Sequence, residues 1–492
     1  MTNRRNGTRP PSRERSGARP RPVSTGQEGT LHELSAVGTA RLVRSGEVSA
    51  TEIIAHHLAR AEASQPALNA FTSIDPEGAQ SRAAAVDRIV STGGDPGPLA
   101  GVPVALKDLV DQSGMATTAG SSFYSVVATA DSPVVERLAN AGAVVIGRTG
   151  LHEFAYGFTS ENPWFGPVHN PWDPATSTGG SSGGSGTAVA ARLTMVSIGT
   201  DTGGSVRVPA AMCGVAGLKV THGAVPLTGV FPLAPSLDTV GPLARSAADL
   251  ALVFEAIEGW HADDPWSRPR PPMSSDGDAR PPLRIGIPRQ WLSSAPIHPV
   301  VRADFYAACE ALAQQGHEVM EVDAPFLEPP GLMAELHGPE AAAVHELWFG
   351  DPDKRYGDDV RARLESAFAL DRSAHLRARA WKSGLRTKTG FLFDEVGMLA
   401  TPTCGIARKV IGEDLVEVAT GEVHHRLPLS WFTSLVNALG APALALPLAG
   451  LAGDPPPSLQ LIGPPWSEPL LLTAAASLED AGLAGFRAPE GW

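Results

Sequence analysis

Cysteine is scarce in this chain. The three present, Cys213, Cys309 and Cys404, lie far apart and form no Cys-x-x-Cys pair. That excludes a disulfide framework and a thiolate zinc site, and it fits a reducing compartment. Histidine supplies no metal pattern either. His56 and His57 are adjacent, as are His424 and His425, and neither spacing puts two ligands on one helical face. Positive charge is in deficit, with 39 Lys and Arg against 52 Asp and Glu, which argues against a dedicated nucleic-acid binder. No apolar run approaches the ~20 residues that span a bilayer. Arg4 and Arg5 are followed by no apolar stretch, so neither a secretory nor a twin-arginine signal is expected. No internal repeat of about 20 to 50 residues is found. On these absences a cytoplasmic protein that does not bind membranes is expected.

What is present suits a globular enzyme. Hydrophobic residues make up 43% of the chain and charged residues 18%, enough for a sizeable core. The first 28 residues are rich in Arg, Pro, Gly and Ser, with seven arginines against one acid up to Pro22; a solvated, disordered tail is expected. Order begins at Thr30-Leu31-His32-Glu33, a capping-box pattern for a helix ending near Gly46. Ser49-Ala50-Thr51-Glu52 repeats the signal, and Ile53, Ile54, His57, Leu58 and Ala61 give the second helix an apolar face. Strand and helix then alternate: GVPVAL as a strand, a helix capped at Ser132-Pro133 and closed at Gly142, then AVVIG as a strand. This alternation predicts an α/β sheet covered by helices. A Pro-rich loop is expected over about 262–282, with too few apolar residues to pack, before LRIGIP resumes strand character. Helices follow around Val301–Gln315 and Asp358–Thr389, and FTSLVNALGAPALALPLAG reads as a helix feeding a buried strand.

Two glycine-rich stretches carry the chemistry. STGGSSGGSG (Ser177–Gly186) and GTDTGGSVRVP (Gly199–Pro209) place Ser181 and Ser205 on either side of the apolar segment LTMVSIG. A serine among free backbone N–H groups suits attack on a carbonyl and stabilisation of the oxyanion. The N–H groups of Thr202, Gly203, Gly204 and Ser205 are placed to converge on one point, at the start of a helix that favours an anion. A Gly-Gly turn with an incidental serine, and a Gly/Ser linker around Ser181, remain the alternatives. A phosphate loop lacks its GK[ST] ending. For a base, Lys107 ends the apolar strand VPVAL, where desolvation would favour its neutral amine, although most lysines are surface charges. His152, His169 and His222 flank the glycine loops, but none has an evident acidic orienter.

From about Leu31 to Glu479 the chain closely resembles the amidase signature family. The resemblance is carried by GVPVALKD, ANAGAVVIGRTGLHEFAYG, NPWDPATSTGGSSGGSG, GTDTGGSVRVPAAMCGVAGLKVT and SLDTVGPLAR, and by the later DEVGMLATPT, NALGAPALALP and PSLQLIGPPWSE. It implies a single large domain over 29–492, with a central mixed, twisted sheet covered by helices on both faces. It also implies a Ser–cisSer–Lys triad: Ser205 as nucleophile, Ser181 as bridge after a cis Gly180–Ser181 bond, and Lys107 as base. The 24-residue step between the serines agrees with the family's spacing, so the resemblance implies Ser181 rather than Ser182 as the bridge. The implied reaction is hydrolysis of a carboxylic amide through a seryl acyl-enzyme, without metal or organic cofactor.

The family uses a pair like Asp201 and Arg207 mainly structurally; Thr178, Gly179, Gly180 and Ser182 are expected to support substrate, relay or loop. An acyl pocket is expected around Phe123-Tyr124, Phe154–Phe158, Phe231 and Gly338–Trp348, unless those aromatics are core. Relatives serving as the amidase component of a tRNA-dependent amidotransferase usually carry a GRVS-type stretch where this chain has THGAVP, with Ala224 in place of the arginine. They also carry a Lys/Arg-rich C-terminal stretch that is missing here. A stand-alone amidase therefore ranks ahead of that amidotransferase component, and a non-catalytic binding relative ranks last because the triad residues are retained. The expected partner is a small-molecule amide, and a homodimer is the default assembly.

Overall fold

The computed structural model describes residues 28–271, 282–328 and 331–492. The expected N-terminal tail up to residue 27, and the middle of the loop expected over 262–282, lie outside the described residues.

Apolar runs build one eleven-stranded mixed sheet. Its strands are β1 (Phe71–Ile74), β2 (Pro103–Lys107), β3 (Val144–Thr149), β4 (Val196–Thr200), β5 (Ala216–Lys219), β6 (Val240–Ala244), β7 (Arg284–Pro288), β8 (Glu318–Val322), β9 (Met398–Pro402), β10 (Ala443–Pro447) and β11 (Ser458–Ile462). Across the sheet they run β1-β3-β2-β4-β6-β5-β10-β11-β9-β7-β8. β3, β2 and β4 are parallel. Pairing turns antiparallel from β4 through β6, β5, β10 and β11 to β9, then parallel again through β7 to β8. Every residue of PVALK, VVIGRT and VSIGT is buried, the signature of strands covered on both faces. The α/β expectation holds.

The helices that bear on the site are α1 (Ala36–Ser45), α2 (Ala50–Leu68), α3 (Gly183–Ala190), α4 (Arg207–Cys213), α5 (Met333–His345), α6 (Asp358–Phe368), α7 (Arg372–Glu395) and α8 (Ser434–Leu439). α2 starts as predicted, with Ser49 Oγ accepting from Glu52 N at 3.1 Å, and its named apolar face is buried. Three expectations need correction. The first helix begins behind Ser35, whose hydroxyl accepts from Gly38 N, while residues 28–33 form a separate 3-10 turn. The helix expected over 358–389 is two, because Asp371 accepts from Ala374 N at 2.7 Å and caps a new start. The described beginning of the 262–282 loop does pack: Asp264 is buried and accepts from Trp266 N at 2.8 Å and from Leu227 N.

All three cysteines are free and buried. Among the described residues no helix is long and apolar enough to cross a membrane.

Candidate active site

β2 and β4 are parallel neighbours, so their carboxyl ends leave the sheet along one edge, where open α/β sheets place their sites. Lys107 is the last residue of β2 and Thr200 the last of β4. Lys107 is fully buried, its Nζ 2.7 Å from Ser181 Oγ and 2.9 Å from Thr200 Oγ1. Burial pushes its ammonium down to about 7, against the pull of Asp201 and Asp238.

Ser181 follows a cis peptide bond from Gly180. Its carbonyl is held by His152 N and Ser160 Oγ, both at 3.1 Å. The loop then enters α3 flush against the sheet. A side chain at Gly184 would place its Cβ 2.4 Å from Ala70 O and 2.5 Å from Gly150 N, so only glycine allows this approach.

Ser205 lies in the turn from β4 to α4, which Asp201 organises. Its carboxylate accepts from Gly204 N (2.7 Å), Val206 N (3.2 Å) and Arg207 N (3.4 Å), and from Arg207 Nε and an η nitrogen, both at 2.9 Å. Arg207 also donates to Asn437 Oδ1 at 2.7 Å and Gln460 Oε1 at 2.8 Å. Burial pushes the Asp201 carboxyl up, but the charge and hydrogen bonds of Arg207 outweigh it and hold it at about 2. Both side chains are thus spent on holding the turn and its neighbours. Gly204 adopts φ +137°, and a Cβ there would lie 2.3 Å from Thr433 Oγ1. Thr433 and Ser434, at the start of α8, donate to Gly203 O at 2.7 and 3.0 Å and fix that peptide.

The expectation of four converging N–H donors is corrected at Gly204, whose N–H is spent on Asp201. A strand-end carboxylate caps the turn before any ligand reaches that donor. The N–H groups of Thr202, Gly203 and Ser205 donate to no described residue. Ser205 Oγ likewise has no hydrogen-bond partner among the described residues, and no direct bond joins it to Ser181 Oγ. Ser205, Thr202 and Gly203 form one wall of a cavity of about 420 Å³.

Thr178, Gly179 and Ser182 satisfy their own loop. Thr178 Oγ1 donates to Gly179 O at 3.0 Å, Gly179 N to Ser177 Oγ at 3.1 Å, and Ser182 Oγ to Thr200 O at 3.2 Å. Gly180 is packed so closely that a Cβ would sit 2.7 Å from Thr159 N. None of the four lines the cavity. Of the segments expected to form an acyl pocket, Ala155–Phe158 and Gly338 do line it. Phe123, Tyr124, Phe154, Phe231 and Trp348 instead pack on one another, with Tyr124 and Phe231 at 4.9 Å between ring centroids. Phe231 opens on an adjoining cavity of about 190 Å³ that also touches Thr200 and Thr202.

Histidine needs two corrections. His152 has an acidic orienter after all, with Nε2 2.8 Å from Asp359 Oδ2, but the partners are 207 residues apart in sequence. Its Nδ1 lies 3.3 Å from Thr159 Oγ1, so both nitrogens are engaged and neither is left for a nucleophile. Asp414, His424 and His425 bring three possible metal-ligand atoms within 4.8 Å of one another; they meet at a hairpin (Leu415–Val418 with Gly421–His424) rather than on a helix, which helical spacing does not reveal. Two of the three are exposed.

Sequence reasoning missed Thr200, Thr433, Ser434, Asn437, Gln460 and Asp238, the last accepting from Thr202 Oγ1 at 2.5 Å. Thr200 had a local signal, standing at the end of an apolar strand beside Asp201. The others had none.

A family model described as Amidase matches residues 52–472. A glutamyl-tRNA(Gln) amidotransferase subunit from Salinispora arenicola (strain CNS-205) is 35% identical over 487 residues, covering 92% of this chain and 98% of that protein. The AtzE subunit of 1-carboxybiuret hydrolase from Pseudomonas sp. (strain ADP) is 36% identical over 461 residues, covering 90% and 97%. Among solved structures, a 6-aminohexanoate cyclic dimer hydrolase complexed with substrate superposes with a TM-score of 0.81 at 28% identity, covering 94% of this chain and 99% of that one.

Proposed function

This chain belongs to the amidase signature family, and we propose that Ser205 is its nucleophile, Ser181 its proton bridge and Lys107 its base. The reaction is hydrolysis of a carboxylic amide to the carboxylate and ammonia or an amine. Neutral Lys107 takes a proton from Ser181 while Ser181 takes one from Ser205, and Ser205 Oγ bonds to the amide carbon. The oxyanion accepts from the N–H groups of Thr202, Gly203 and Ser205. The relay returns a proton to the leaving nitrogen, the C–N bond breaks, and water releases the acyl group by the same route. The observation that carries the assignment is the fully buried Lys107, 2.7 Å from Ser181 Oγ and lowered to about 7. At that value a large share of the amine is neutral at physiological pH.

The test is ammonia release from aliphatic, aryl and dicarboxylic amides, with Ser205→Ala and Lys107→Ala as controls. Full turnover by Ser205→Ala would refute the assignment. Residues 29–492 act as one catalytic domain in this proposal, in a cytoplasmic compartment that suits three free, buried cysteines, and a homodimer is its default assembly.

One observation favours a second reading: the Salinispora relative is named as a component of an amidotransferase. Turnover of simple amides by the isolated chain supports the stand-alone amidase. Activity that appears only with co-purifying partner chains supports the amidotransferase component.

A further inference from the structure

We propose that Arg363 and Arg426 form an anion subsite in the Ser205 cavity, so that the substrate is an amide carrying a carboxylate. This rests on the amidase assignment above for the reaction, but the subsite itself stands on the geometry of the two guanidinium groups.

Arg363, on α6, and Arg426 line the same cavity as Ser205. Arg363 is almost enclosed, its side chain 13% exposed. Neither guanidinium donates a hydrogen bond to any described residue, and the Nε of each is buried without a partner. They share a single carboxylate, Asp359, at 3.7 and 3.8 Å. That oxygen is already held by His152 at 2.8 Å. No acidic side chain, Asp359 included, lines the cavity among the described residues. The other groups facing Arg363 do not neutralise it: the Tyr156 ring stacks under it at 5.4 Å, and His337 is driven neutral by burial, with its pKa at about 4.

The fully buried Arg207 is handled differently. Arg207 spends its donors on Asp201, Asn437 and Gln460. A guanidinium withdrawn from water without such partners is costly, which holds for Arg363, whereas Arg426 keeps 36% of its side chain exposed at the mouth of the site. Two guanidinium groups sharing one carboxylate leave a net positive charge and donors without hydrogen-bond partners beside the cavity, and the planar fork of arginine matches a carboxylate. Besides these cations and the Ser205 turn, the cavity is lined by the apolar side chains of Tyr156, Phe158, Leu233, Met333 and Leu370. An apolar chain fits there, with an amide at one end and an anion at the other.

The test compares matched amides in the wild-type protein. Succinamic, glutaramic and adipamic acids are set against butanamide, pentanamide and hexanamide, which places the carboxylate on the acyl side. N-acylglycines are set against N-ethyl amides, which places it on the leaving side. At least one acidic series should exceed its neutral partner by about tenfold or more in kcat/KM, chiefly through KM, the range of a charge-assisted hydrogen bond. Arg363→Gln and Arg426→Gln should each shrink that ratio several-fold. Neutral amides hydrolysed as well as every acidic one would overturn the proposal, whether or not the variants fold. A binding arm separates the subsite from the reaction. Calorimetry should show glutarate or adipate binding to Ser205→Ala protein, weakened by adding either Arg→Gln change. If no amide is hydrolysed but this binding is seen, the amidase assignment fails and the subsite stands. If neither acidic preference nor dicarboxylate binding is seen, the subsite is refuted.

Discussion

Lys107 and Lys219 are both fully buried, and burial pushes both down to about 7. Their partners separate them. Lys107 Nζ meets the hydroxyls of Ser181 and Thr200. Lys219 Nζ donates to the carbonyls of Val220 and Ala441, at 2.8 and 2.7 Å, and so ties the end of β5 to the turn before β10. A hydroxyl can surrender a proton to a neutral amine, and a carbonyl cannot. A depressed lysine pKa is therefore no mark of a base by itself; the proton-bearing partner and the adjoining cavity are. Lys107 has two hydroxyl partners, one of which, Thr200, lines the smaller cavity beside Ser205, while neither carbonyl held by Lys219 belongs to a residue lining either cavity there.

Breaking this contrast starts at the nucleophile. Ser205→Ala should lower kcat for ammonia release by about 10³-fold or more, with an unchanged melting temperature. Lys107→Met comes next: a loss of about 10²- to 10⁴-fold in kcat, the range of a positioned base, in a protein at least as thermostable as wild type because a buried amine is replaced by an apolar chain. Lys219→Met should do the reverse. It leaves two carbonyls unsatisfied and costs about 1–3 kcal/mol in denaturant unfolding, while turnover per folded molecule stays within about threefold, well inside the loss expected of a lost base. Equal activity losses in the two lysine variants would erase the distinction.

The pH profile sharpens the contrast. kcat/KM should fall as pH drops below about 7, where Lys107 becomes protonated. Lys219→Met should keep that limb. For stability, the folded pKa of each lysine is depressed from 10.5 to about 7, so the unfolded chain binds more protons between those values. The stabilisation is complete above about 10.5 and is lost as pH falls through 7. Melting temperatures from pH 7 to 10 should rise less in either lysine variant than in wild type. Among the groups that touch Lys107 Nζ, the smallest loss is expected of Thr200→Val, about tenfold or less in kcat, with the acidic limb moved to lower pH because an acceptor for the ammonium is gone.

Short-range features were legible because they depend on neighbours in sequence. Ser49 and Ser132 cap their helices as read, each accepting from the N–H three residues on, and the apolar strand ending in Lys107 was visible as a run of buried types. The glycine loops marked where backbone comes close to backbone. Contacts across hundreds of residues left no local trace. Nothing near His152 announces Asp359, and Arg207 meets Gln460 253 residues away. The aromatics were ambiguous for a related reason: a ring in a core and a ring in a pocket have the same sequence signal, and only packing sends Phe154 to one and Phe158 to the other.

The sequence by itself determined the type of sheet, the two serines set in glycine, and a lysine at the end of a buried strand, since these follow from residue type and spacing. Tertiary structure alone decided which donors remain free and which charges remain unpaired. Gly204 loses its N–H to Asp201, while Arg363 and Arg426 keep theirs. Whether a polar group is satisfied depends on what other segments bring within about 3 Å of it, and no local stretch of sequence encodes that distance.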